Sequence, residues 1–301
     1  MVRLHAFIKL FSLVGLVILM NPACDKFEGD QSIPSYLAID TVFLENNNLI
    51  EEGELTHNFT DVWVYVDDQL IGAFELPAIV PVLVYGNHKL ALYAGIKLNA
   101  MSGTRAQYPF VRPKIFDAFN FVIDSVITIN PVVSYYDQTK FAWLEDFEDS
   151  PMSLIPTSNS DTSMIFFNYD TPVPFFGSRS GYGFVDNSFT VLELSTFDEE
   201  RPGFDLPTAG QPVFLEMEYK SNATLRVGVF IRDVSFGIKQ HSVLMLIPSG
   251  DLWKKVYVNF TPVLNSYYYA DFYNVFFRVD KGSAPDEEYI MLDNLKLITR
   301  D

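Results

Sequence analysis

Residues 213–232, VFLEMEYKSNATLRVGVFIR, decide how the chain is read. Val213 to Tyr219 and Leu225 to Arg232 are short β-type runs, and the Ser-Asn pair between them is turn chemistry. Within the first run Glu216 and Glu218 fall on one face, because strand side chains alternate. Working outward, Phe189 to Leu194, Ser242 to Ile247, Lys255 to Phe260, Asn274 to Val279 and Ile290 to Ile298 read the same way. A C-terminal region with this strand count predicts a jelly roll. Toward the N-terminus, Val62, Val64 and Val66 alternate with Trp63 and Tyr65. Asp67-Asp68 turns the chain and Gln69 to Phe74 returns, a hairpin. Val82 to Tyr85, Gly86-Asn87 and Lys89 to Tyr93 read as a second hairpin, followed by runs at 124–129 and 132–136. The expectation is an all-β protein, with a small β-sandwich over 36–138 and a jelly-roll β-sandwich over 141–301. Pro151 to Asn187 reads as a long ordered loop.

Composition removes several function classes. The 301 residues hold 21 Lys plus Arg against 38 Asp plus Glu, for a net charge of −17. A nucleic-acid binder needs a basic face to replace counterions on phosphate, so no nucleic-acid partner is expected. A single Cys excludes a disulfide framework and a thiolate zinc cluster. Beyond the N-terminal segment, His57, His88 and His241 have no metal-ligand spacing. P-loop, Rossmann and G-x-S-x-G patterns do not occur.

The N-terminus carries an address. Arg3 and Lys9 form a basic region, and Leu10 to Met20 is an uncharged apolar run, too short to span a bilayer. Asn21-Pro22-Ala23-Cys24 follows. This resembles a bacterial lipoprotein signal over residues 1–23, with Asn21 and Pro22 departing from the usual box, as in the relaxed boxes of the Bacteroidota. The resemblance implies lipidation of Cys24 and cleavage before it. Residues 24–35 read as an acidic tether, similar to the surface-export signal of Bacteroidota lipoproteins. The expected location is the outer membrane, facing the cell surface.

Residues 61–92, DVWVYVDDQLIGAFELPAIVPVLVYGNHKLAL, resemble a PEGA-type or prealbumin-like repeat, which implies a β-sandwich spacer. "D-F-E-D" (146–149), "W-K-K-V-Y-V-N-F" (253–260) and "I-M-L-D-N-L-K-L" (290–297) resemble the galactose-binding-like jelly rolls, the architecture of many carbohydrate-binding modules. That resemblance implies a structural calcium ion on Glu148 and Asp293, with Asp146 or Asp149 assisting. Aromatic rings stack on the apolar faces of sugar rings while polar groups hold the rim. The candidates are Arg179, Tyr182 and Phe184 in the loop, and Tyr267, Tyr268 and Tyr269 between strands. Three consecutive Tyr cannot all be core, so at least one ring is expected to be exposed.

Three function classes stay open. The first is a non-catalytic glycan-binding protein, and the second an accessory subunit docking on another outer-membrane protein through the Tyr-rich surface. The third is a glycoside hydrolase with an unrecognised carboxylate pair. Glu216 and Glu218 are the candidate pair, although their spacing departs from the laminarinase-like E-x-D-x-E pattern, and the plain reading makes them solvent-face residues. Thr41 and Ser125 stand in D-[S/T]-aliphatic triplets similar to Bacteroidota O-glycosylation acceptors.

Overall fold

The computed structural model describes residues 33–45, 48–173, 176–196, 203–233, 235, 237–283 and 286–300. The signal segment, Cys24 and the tether up to residue 32 lie outside the described residues. Strands dominate, and helix among the described residues is confined to Leu49–Glu52 and Thr261–Ser266. No described helix is long and apolar enough to cross a membrane.

The C-terminal region is two antiparallel sheets around one core. The six-stranded sheet runs Ile165–Val173, Gly177–Val185, Glu288–Arg300, Val213–Ser221, Lys254–Asn259, with Thr139–Glu145 also paired to Glu288–Arg300. The five-stranded sheet runs Ile155–Pro156, Val191–Ser195, Phe272–Asp280, Leu225–Asp233, Gly237–Leu246. Alternation sets the packing. Leu215 and Met217 from the first sheet meet Val227, Val229, Val275 and Phe277 from the second, all out of solvent. Each such side chain contributes about 1.5–3 kcal/mol through burial.

The expected loop over 151–187 is largely a hairpin, Ile165–Val173 against Gly177–Val185. Its glycines mislead the sequence reading because they serve packing. A Cβ on Gly181 would stand 2.5 Å from the Phe147 ring and 2.6 Å from Met164 Sδ. Glycine in a strand marks such a close approach. Near the expected boundary at 137–141 the strand Thr139–Glu145 already belongs to the C-terminal sheet, pairing with Leu295–Arg300.

In the N-terminal region Asp67 and Asp68 adopt φ of 49° and 63°, the primed turn that joins Asp61–Val66 to Gln69–Glu75. The second expected hairpin is a correction. Ala78–Val82 pairs with Ser35–Ile39, whereas Gly86–Lys97 pairs with Asp61–Val66 and Lys114–Phe121. Gly86, at φ 83°, lets the chain leave one sheet and enter another.

The core of this region includes Leu37, Val64, Leu92 and Phe110, and it also takes in Phe214, Tyr257 and Ile298. Their strand neighbours Leu215, Val256, Val258 and Leu297 belong to the other core. Part of the six-stranded sheet is therefore a wall with a core on each side.

Candidate functional site

The outer face of the five-stranded sheet carries a cleft of about 500 Å³. Glu193, Ser195, Asn274, Phe230 and Arg232 lie on its floor, and residues 155–159 form one bank. These floor residues alternate with core residues such as Leu192, Val275 and Ile231, so the period of two points them outward. Register places Phe230 opposite Asn274. The Phe230 and Phe276 rings lie 5.0 Å apart.

Glu193 braces the cleft. Its carboxylate accepts from Thr157 Oγ1 at 2.7 Å, Asn159 Nδ2 at 3.1 Å, Gln240 Nε2 at 2.8 Å and an Arg278 guanidinium nitrogen at 2.8 Å. Burial would raise this acid, but the four donors outweigh it and hold it at about 2. It is the one carboxylate among the described lining residues, it stays ionised, and its acceptor capacity is filled. Such a group orients neighbours and is a poor proton shuttle.

Asn274 is different. It is fully buried, yet among the described residues neither its Oδ1 nor its Nδ2 has a hydrogen-bond partner. A buried amide left this way loses about 1–3 kcal/mol of desolvation free energy. Gly203 packs against the amide and helps to bury it: a Cβ there would stand 2.9 Å from Asn274 Oδ1 and 3.0 Å from Nδ2. An amide presents one acceptor and one donor side by side, which matches two neighbouring hydroxyls.

A larger cleft of about 890 Å³ lies between residues 97–101 and the Trp253–Tyr257 stretch. Most of its polar groups are already engaged. Asn58 donates to Tyr257 Oη and the Lys255 carbonyl, Asn99 binds the backbone of Tyr257 and Asn259, and Lys97 pairs with Glu75. Trp253 is stacked on Phe176 at 4.6 Å. His57, half-buried and stacked on Phe59, has no partner for Nδ1 among the described residues, and burial lowers its pKa.

The sequence candidates disperse. Tyr182 and Phe184 sit on the strand Gly177–Val185, in an outward aromatic row with Phe167 and Tyr289. Tyr182 donates to Glu287 at 2.5 Å. Arg179, at the opposite parity, lies over the Phe166 ring at 4.5 Å. Tyr267 packs on the core under Lys239, whereas Tyr268 and Tyr269 are exposed after the helix Thr261–Ser266. None of these six lines the Asn274 cleft.

Glu148, Asp293 and Asp146, the residues expected to hold calcium, are each engaged within the protein. Glu148 accepts backbone N–H groups of Ser178 and Arg179 at 2.7 and 2.8 Å, and Asp146 accepts that of Glu148. Asp293 turns inward to Ser180 Oγ at 2.6 Å and the Asn294 N–H. Among the described residues no three of His, Cys, Asp or Glu converge on one point, where a hard cation requires several oxygens at once. Burial pushes Asp293 up to about 8, and the nearby charges of Glu218 and Asp146 act in the same direction.

Glu216 and Glu218 share a face, as expected, but that face is buried. Glu216 pairs with Lys255 at 2.7 Å and accepts from the hydroxyls of Tyr108 and Tyr135. Burial opposes its ionisation, and Lys255 and Lys296 more than offset that. Lys296 donates to the Glu54 carbonyl at 2.5 Å, with its pKa brought down to about 8 by burial. Glu218 accepts from Asn294 at 3.2 Å. A pair whose first member is closed off by two Tyr and a Lys cannot flank a glycosidic bond. Thr41 and Ser125 lie outside strands, and Ser125 Oγ donates to the Ile123 carbonyl.

Phe230, Glu193 and Asn274 were not singled out by sequence reasoning. The available signal was a polar residue inside an apolar run, as in V-L-E-L-S (191–195) and F-Y-N-V-F-F (272–277).

No family model matches the sequence, and no curated protein matches it. Solved structures give remote likenesses. An enzymatically active domain of bacteriophage CBA120 tailspike protein 4 is 13% identical, covering 55% of this chain and 20% of that one, with a TM-score of 0.34. This chain therefore spans about a fifth, 20%, of the length of that domain's chain. A structure described for carbohydrate-binding modules of the β-sandwich superfamily is 13% identical over 88% of this chain and 96% of that one, TM-score 0.38. TmCBM61 with β-1,4-galactotriose is 12% identical over 50% and 90%, TM-score 0.32. The β-sandwich reading rests on the sheets themselves.

Proposed function

We propose that this chain binds glycan, without cleaving it, in the cleft over Asn274. The observation that carries this is the buried Asn274 amide, both polar atoms unpartnered, beside the Phe230 ring in a concave site. A sugar supplies an apolar ring face for Phe230 and, where the Gly203 backbone gives way over the amide, hydroxyls for Asn274. The filled hydrogen-bond set of Glu193 and the absence of a second carboxylate among the described lining residues support binding over hydrolysis.

A binding screen of the full chain against a polysaccharide panel tests this. Saturable binding abolished by Phe230→Ala and Asn274→Leu supports the reading. Binding that survives both substitutions refutes it.

The proposal extends to location. The chain is held at the outer membrane through a lipid on Cys24, with a β-sandwich spacer over 36–138 carrying the jelly roll over 141–301. Mass spectrometry of the membrane-extracted chain tests it, by the diacylglyceryl mass on an N-terminal Cys24. A second reading, a subunit docking on another outer-membrane protein, is favoured by the exposed Tyr268–Tyr269 pair. It predicts capture of a membrane protein that Tyr268→Ala weakens.

A further inference from the structure

The first described residues enter an apolar end of the molecule. Ile33 is 57% exposed, Leu83 65%, Tyr85 72% and Val126 60%, with Val122 and Ile123 also exposed. Hydrogen bonds tie the three segments together: Ser35 Oγ donates to the Val84 carbonyl, Asp124 N–H to Pro34, and Tyr36 N–H to Ser125. Gly86 pairs with Phe121 just behind them. In the stretches 33–35, 82–86 and 121–126 the single charged side chain is Asp124. The whole chain carries −17, and the charged groups bordering this end include His88, paired with Asp67 and hydrogen-bonded to the Tyr85 carbonyl.

We infer that this end docks on a lipid surface, of zwitterionic character because an acidic protein is repelled by anionic headgroups. The inference rests on the lipid-anchor reading. Ile33 lies nine positions after Cys24, so even a fully extended tether keeps the end within about 30 Å of the lipidated residue. The anchor thus keeps this face within reach of the bilayer. Tyr85 is suited to the headgroup level, where an amphipathic ring is at home, and Leu83, Ile123 and Val126 are suited to the acyl boundary.

Cys24 is the single cysteine, and lipidation would block it. Tyr85→Cys and, as a reference, Tyr268→Cys would therefore each carry one reactive thiol. Each full-length lipidated variant is spin-labelled and reconstituted into phosphatidylcholine vesicles. The expected result is that the label at 85 loses most of its collisions with a water-soluble nickel chelate and gains collisions with oxygen. The label at 268 stays open to the chelate. Equal aqueous access at both positions, in vesicles that float with the protein, overturns the docking while the anchor stands. Failure to float overturns both. Dipolar coupling between two labels at 85 assigns the face to a second copy instead, and a glycan found on Ser125, within the face, also overturns the inference.

Discussion

Lys255 Nζ stands 2.7 Å from Glu216 Oε2, and both side chains are almost wholly out of solvent. The pair sits in the wall between the two cores, where Tyr108 and Tyr135 reach it from the N-terminal side. Removing one charge strands the other. Glu216→Leu is expected to lower unfolding free energy by about 3–5 kcal/mol. The double variant Glu216→Leu/Lys255→Met should lose less than the sum of the two singles, because their interaction is what the cycle removes. Urea denaturation of the four proteins measures this.

Asn274 gives the opposite sign. Asn274→Leu replaces an unpartnered buried amide by an apolar group of similar size, so stability should hold or rise. Glycan affinity should vanish in the same variant. Thermal denaturation together with isothermal titration separates the two effects.

Protonation of Asp293 should show in the pH profile of stability. Its folded pKa is about 8 against 3.8 unfolded, so between these values the folded state binds the extra proton. Stability then falls as pH rises from about 4 to about 8. Glu193, at about 2 against 4.5, contributes stability that is lost as pH falls through that lower window. Asp293→Asn should flatten the upper slope and leave the acid limb in place, as read from urea midpoints across pH.

The aromatic residues that stood out in the sequence should be silent in sugar binding. Tyr182→Ala and Tyr268→Ala are expected to leave glycan affinity unchanged, because neither ring lines the Asn274 cleft. A titration in which either variant loses binding would move the site to that surface.

The strands with Val, Ile and Phe in alternation were legible, since Val213–Ser221 and Leu225–Asp233 appear within a residue or two of their expected ends. The hairpin through Gly177–Val185 was not, because Gly181 and Gly183 look like loop residues until Phe147, Met164 and Leu192 are seen against them. The site was hidden for a related reason. Glu193 is an ordinary outward strand residue in sequence, and its role comes from Thr157, Gln240 and Arg278, brought to it from distant segments. Rings are conspicuous in a sequence, whereas an amide without a partner can be seen only once every neighbour is in place.

The wall formed by Phe214, Tyr257 and Ile298 on one side and Leu215, Val258 and Leu297 on the other has a mechanical consequence. A hinge needs a seam that can open without exposing core. Here both halves own the same strands, so prising them apart would wet apolar surface and break the hydrogen bonds from Tyr108 and Tyr135 to Glu216. A pull on the N-terminal end therefore passes into the sheet that both cores share, with no dry seam between them to open.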